Sequence, residues 1–229
     1  MRLAGLFLWL ALAGCQQAKQ ANTAPAEKQE LALLTSLPIV FAESFSLDQP
    51  ANPLLAALEE RFVVRPVDGP EQLAPRGLLL AVQPQALTAE RLVALDRWVR
   101  EGGRLVLLAD PKLAWESSRP LGSPFRPPVS YPDTGLLAHW GLALTSDGDG
   151  ASQRTVGRTS VATVLPGRFT GGRRACRVGR DGFHAHCRVG RGSVHVIADA
   201  DWILQDSPSN NPSAAERGRE VLVTLLARA

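Results

Sequence analysis

Cysteine and long apolar runs are both scarce in this 229-residue chain: there are three cysteines, and one apolar run that stands out for length. Lysine does not recur after Lys112. No G-x-S-x-G, H-E-x-x-H or G-x-x-x-x-G-K-[ST] pattern occurs. These absences exclude the nucleophile elbow of serine hydrolases, the paired histidines of zinc peptidases and the phosphate loop of nucleotide hydrolases. Beyond the N-terminus no run approaches the roughly 20 apolar residues that a spanning helix needs.

The one long run lies in MRLAGLFLWLALAGC. Arg2 precedes Leu3 to Leu12, a stretch of signal-peptide length that is too short to span a bilayer. Leu12-Ala13-Gly14-Cys15 resembles a bacterial lipobox. The resemblance implies that residues 1–14 are removed as a signal peptide and that Cys15 carries a diacylglycerol with palmitate-type chains. Gln16, rather than Asp, implies the periplasmic side of the outer membrane, with the inner membrane as the alternative. Residues 15–30 are polar and aperiodic, a lipidated tether. Residues 31–229 suit one domain, anchored to the membrane rather than crossing it.

With Cys15 lipidated, Cys176 and Cys187 remain to pair in an oxidising compartment. They lie in CRVGRDGFHAHCRVGRGSVHV. A type I′ turn at Asp181-Gly182 sets Val178 against Ala185 and Cys176 against Cys187, as a hydrogen-bonded pair with Cα atoms about 5.5 Å apart. Cys176, Val178, Phe183, Ala185, Cys187 and Val189 then share one face, and Arg177, His184, His186 and Arg188 the other. A second turn at Arg191-Gly192 sets Cys187 against Val196, making a three-strand meander. Zinc at His184 and His186 is disfavoured, because Cys187 points away and arginines flank the pair.

Elsewhere the periodicity predicts strands at LALLTS, FVVRPV and GLLLAV, with a helix over 52–62. Thr88 caps a helix bearing Leu92, Leu95, Trp98 and Val99, which stops at Gly102-Gly103 before the strand RLVLLAD. Residues 116–135, with five prolines, read as a surface loop. A short helix at 136–140 follows. Antiparallel strands fill about 161–198, SVHVIADADWI is a buried strand, and an amphipathic helix closes the chain. Alternating helices and unbroken apolar strands predict a mostly parallel sheet, covered on both faces.

LTAERLVALDRWVREGGRLVLLADP and GRGSVHVIADADWI resemble segments of the auxiliary domain in gliding-motility-type ABC transporter components. The resemblance covers about residues 31 to 229. It implies a flavodoxin-like sheet related to class I glutamine amidotransferases, with a non-catalytic role on the extracytoplasmic side of a transport system. In keeping with that role, RLVLLAD runs into Pro111 with no Cys or Ser at the turn, so the amidotransferase nucleophile is missing.

Two constellations are left. Asp110, Asp199 and Asp201 end strands and can gather at the carboxyl edge of the sheet, where open α/β sheets bind ligands. There they would either hold a cation or do acid/base work, as in an envelope hydrolase or metal-dependent enzyme, or simply cap the turns that follow. Residues 151–191 hold nine arginines and one acid, net +8, which leaves −5 elsewhere from the total of +3. An exported domain meets little nucleic acid, so the expected partners of this segment are anionic lipid headgroups, phosphorylated glycans or an acidic protein face such as that of an envelope transport protein. Capture of an anionic small molecule or glycan is the alternative function. The reading that results is a binding module without cofactor, using Arg177, Arg188, His184 and His186. Ordinary histidine titration would strengthen such a surface below about pH 6.5.

Overall fold

The computed structural model describes residues 28–43, 51–148, 150–172, 175–204 and 212–229. Cys15, the lipobox and nearly all of the tether lie outside them. The elements in chain order are β1 (Gln29–Thr35), α1 (Pro53–Glu59), β2 (Phe62–Pro66), β3 (Leu78–Val82), α2 (Ala89–Arg100), β4 (Arg104–Leu108) and α3 (Leu136–His139). There follow β5 (Leu142–Ser146), β6 (Ser152–Val156), β7 (Thr159–Thr163), β8 (Gly167–Gly171), β9 (Cys176–Val178), β10 (His184–Val189), β11 (Gly192–Ile197) and α4 (Pro212–Leu226).

Seven strands form one sheet in the order β2-β1-β3-β4-β11-β10-β9. The first five are parallel, and β10 and β9 continue the sheet antiparallel from β11. Its parallel part has the 2-1-3-4-5 order of flavodoxin-like sheets. Leu31 to Leu34, all of β3 and Leu105 to Leu108 are buried, as strands covered on both faces must be. α1 packs on β2 and beside α4, while α2 packs against β11 and the connection before β3. No helix among the described residues is long and apolar enough to cross a membrane.

Local chemistry sets the helix ends. Asn52 Oδ1 accepts from Leu54 N and Leu55 N, and Thr88 Oγ1 from Arg91 N. Trp98 buries its ring and donates Nε1–H to Ala74 O at 2.8 Å, which ties α2 to the connection before β3. Residues 116–135 contain no helix or strand, as their prolines require.

The antiparallel region begins at Leu142, not near Val161. Beyond the main sheet, β5 pairs with β8 and β6 with β7. Strands such as SQRTV, mostly open to solvent, have no apolar run to announce them.

The Cys176–Cys187 disulfide is present, and Cys176 lies opposite Cys187 as expected. The turn differs. Gly182 takes positive φ, 74°, but Asp181 does not, and Gly182 N donates to Gly179 O at 3.0 Å. The chain therefore turns over Arg180 and Asp181 and takes up the offset before His184. Register is unchanged, but the hydrogen-bonding phase moves by one residue: Gly179 N bonds His184 O, and Arg188 N bonds Ala175 O. The cysteines thus fall in a non-hydrogen-bonded pair, where strands come closer, with Cα atoms 3.9 Å apart rather than 5.5 Å.

The second turn also moves. It lies at Gly190-Arg191, so Cys187 faces Val194 and Val189 faces Gly192. Gly192 is held too tightly to serve as the turn: a Cβ there would sit 2.1 Å from Val99 O and 2.3 Å from Gly103 O. A slip of two residues keeps every side chain on its face, so apolar alternation could not distinguish the two registers.

The disulfide joins residues 11 apart and should contribute on the order of 2–3 kcal/mol. We expect Cys176→Ala/Cys187→Ala to lower the urea midpoint, and peptide mapping of envelope protein to find no free thiol at either position. Two free thiols in native material would contradict the pairing.

Candidate functional site

Asp110, Asp199 and Asp201 do converge. β4 and β11 are neighbours, so the residues just beyond them meet at the carboxyl edge, and one oxygen from each acid lies within 4.8 Å of the others. All three side chains are buried. Every one of their six oxygens accepts a hydrogen bond from the protein. Asp110 takes Lys112 N and Ala200 N at 2.8 and 2.9 Å. Asp199 Oδ1 takes Asp201 N and Trp202 N, while Oδ2 bonds the Thr163 hydroxyl. Asp201 takes Ala114 N and Trp115 N at 2.7 and 3.1 Å. The trio therefore fastens the segment after β4 to the segment after β11, and three carboxyls that could hold a cation are already engaged with the chain itself.

Burial, added to by the neighbouring carboxyls, pushes Asp110 up to about 7 and Asp199 well above the ordinary range. Asp201 is also raised by burial, held back by Ala114 N and Trp115 N. The folded trio thus retains protons that the unfolded chain has lost. Its stabilisation is complete below about pH 4 and fades as pH rises through about 7. We expect the melting temperature to fall from pH 5 to pH 8. A rise over that range, or marked stabilisation at pH 8 by millimolar Mg²⁺ or Ca²⁺, would show that the carboxylates instead hold a cation.

Sequence reasoning missed Gln83 at this edge. It follows β3 with φ 41° and is fully buried. Its Oε1 accepts from Asp110 N at 2.9 Å, and its Nε2 donates to Asp110 O and Pro128 O at 3.2 and 3.0 Å. Ser36 Oγ donates to its carbonyl. Through its side-chain amide and its backbone carbonyl, this one residue joins the ends of three strands to the proline-rich loop. The residue's only signal in the sequence is its place directly after GLLLAV.

A crevice of about 470 Å³ opens beside these residues, over the ends of β1 and β3, where strand order reverses. Three of its charged groups are paired within the protein. Arg91 pairs with Glu71 at 2.5 Å, and Glu43 takes bonds from Ser117, Ser118 and the Arg119 guanidinium.

On the far part of the sheet, Arg177, His184, His186 and Arg188 share one face, as the alternation requires, and Arg177 and Arg188 are exposed. The structure adds His195 from β11. Its ring stacks on His186 at 4.3 Å and on His184 at 5.2 Å. Gly157 N donates to His184 Nδ1 at 3.2 Å, and His184 Nε2 lies 2.9 Å from His195 Nδ1. The two facing nitrogens of His184 and His195 are spent on each other, and among the described residues no group of three ligands that includes a histidine converges for a metal.

The expected strengthening below pH 6.5 is corrected. Burial lowers His184 to about 4 and His195 to about 3, reinforced by neighbouring histidines. His186 is lowered by burial, then by Arg188 and Arg177. The stack is neutral at physiological pH. Nor does the positive charge of 151–191 form one patch: Arg154 and Arg168 are drawn to Asp147 at 2.8 and 2.9 Å. Among the described residues Arg158, Arg177 and Arg188 make no side-chain ion pair.

Sheet order and helix placement define a doubly wound α/β module with an antiparallel extension. Residues 28–149, over half the chain, match the family described as ABC-type uncharacterized transport system, auxiliary component. The chain belongs to that family. No curated protein matches it. Among solved structures it is similar to an exo-β-1,4-mannosidase of Opitutaceae bacterium strain TAV5 at 14% identity and a TM-score of 0.53, covering 87% of this chain and 36% of the mannosidase. The mmIFT52 N-terminal domain has 12% identity and a TM-score of 0.54, covering 88% and 98%. The cytoplasmic protein STM1381 of Salmonella typhimurium LT2 has 11% and 0.54, covering 87% and 99%. At these identities the likeness is one of fold alone.

Proposed function

We propose that the chain is a lipid-tethered accessory module of an envelope ABC-type transport or assembly system, and that it works by docking rather than by catalysis. Family membership supplies the transport context. The observation that carries the reading is a contrast between two sites. At the acidic edge all six carboxylate oxygens are engaged by the chain, whereas Arg177 and Arg188 stand exposed and without ion-pair partners among the described residues on one face of the sheet. A site organised for turnover needs groups free to meet a substrate, and a docking face needs uncommitted charge. The partner is an envelope transport protein presenting acidic residues, and the tether from Cys15 confines the search for it to the membrane surface.

Affinity capture from detergent-solubilised envelopes tests this. Wild-type protein should bring down an ABC-type ATPase or permease, and more efficiently at low salt than at high salt. Capture of neither at any salt concentration would contradict the reading.

A further inference from the structure

The histidine face does not end at a flat surface. The β6–β7 turn folds over one side of it and the C-terminal half of α4 stands on the other, enclosing an open cleft of about 750 Å³. That volume suits a small organic ligand. Five arginine side chains line the cleft against one acidic side chain, Glu220, and the carboxyl group of Ala229. Arg104 donates to Ala229 O and Arg191 to Glu101 O, while Arg158, Arg188 and Arg228 have no side-chain partner among the described residues.

The floor is equally specific. Because Gly157 N–H donates to His184 Nδ1, neutral His184 carries its proton on Nε2 and donates it to His195 Nδ1. His195 is then left with its proton on Nε2, a donor with no protein partner among the described residues, on a ring that lines the cleft. The stacked ring of His186 and the hydrogen bond from His184 hold that ring in place. Val156, Val221 and Leu225 supply an apolar side.

We propose that this cleft binds an organic phosphate: a phosphoryl group held by Arg158, Arg188 and Arg228 and by the Nε2–H of His195, with its carbon portion against Val156, Val221 and Leu225. Three uncommitted guanidinium forks exceed what the two oxygens of one carboxylate can satisfy. They match the three oxygens and near −2 charge of a phosphomonoester. The site lies on the same sheet face as the docking arginines and shares Arg188, but it does not require the docking reading. Arg177 does not line the cleft, and Arg158 and Arg228 lie outside the docking pair.

Calorimetric titration of the intact protein with glucose 6-phosphate, inorganic phosphate and acetate at matched ionic strength tests the proposal. Flotation with phosphatidylglycerol or phosphatidylcholine vesicles is run on soluble protein lacking the lipid. Saturable glucose 6-phosphate binding, tighter than inorganic phosphate and weakened at least 10-fold by Arg158→Ala/Arg228→Ala with an unchanged melting temperature, is the expected result. Phosphatidylglycerol-selective flotation lost in the same variant, without binding of the soluble ester, would assign the phosphoryl group to a lipid headgroup. Nitrogen-15 spectra should show both His184 and His195 as Nε2–H tautomers, with the His195 signal moving on titration. Equal affinity for acetate, or binding unchanged in the double variant, or no binding to any phosphate or vesicle, overturns the proposal. Arg177→Glu separates the two readings: it should weaken protein capture and leave phosphate binding intact.

Discussion

Arg177→Glu/Arg188→Glu is expected to abolish partner capture while the protein keeps its melting temperature. Both side chains point away from the face that carries Cys176, Ala185 and Cys187, and both are exposed, so replacing them removes no core contact. Surface substitutions of this kind usually stay within about 0.5 kcal/mol of wild type. The change in charge is large by comparison: two positive groups become two negative ones on adjacent, paired strands. An acidic partner then meets repulsion where it met attraction, and like-charge juxtaposition costs several kcal/mol. The loss should appear mainly in the association rate, and raising the salt concentration should shrink the difference between variant and wild type. Titration of His184 and His195 adds nothing between pH 6 and 8, because burial lowers them to about 4 and 3 and they stay neutral there, and burial and the two arginines lower His186 as well. Capture that rose steeply as pH fell from 7 to 6 would contradict this.

Cys15→Ser should transfer the protein from the detergent phase to the aqueous phase, or leave it as the unprocessed precursor. Cys15 has the only thiol of the three left for acylation once Cys176 and Cys187 are bonded to each other. Each buried methylene of an acyl chain contributes about 0.8 kcal/mol to membrane attachment, so loss of the lipid outweighs any surface contact. No helix among the described residues could take its place. Two-phase partitioning of metabolically labelled cells reads the result, and wild-type partitioning of the variant would exclude the lipobox.

Those parts of the fold governed by short-range rules are legible in the amino-acid sequence. The Thr88 cap, the Gly102-Gly103 stop and the unbroken apolar strands β3 and β4 each follow from local chemistry. The pairing of Cys176 with Cys187 follows from alternation and a glycine-bearing turn. Its hydrogen-bonding phase does not, because turns of two types deliver the same register. The second hairpin lies two residues from its expected register for a related reason: the deciding contact, Gly192 against Val99 O, comes from a helix about 90 residues earlier. Convergence of the three aspartates can be anticipated from strand topology. Their saturation cannot, because the donors at Ala114 and Trp115 come from a loop whose path the sequence does not indicate. His195 is plain to see in SVHV, yet its stacking on His186 depends on that same register.

Side-by-side complementation of a deletion strain, normalised to folded protein, tests most directly whether this protein works by docking rather than by chemistry at its acidic edge. Asp201→Asn is compared with Arg177→Glu/Arg188→Glu. The aspartate variant loses an acceptor for Ala114 N or Trp115 N and should cost about 1–3 kcal/mol of stability, but each folded molecule should retain full function. The arginine variant should fold normally and fail to complement. The reverse outcome, with function lost in folded Asp201→Asn and retained after charge reversal, would contradict the docking account and place the activity at the carboxyl edge.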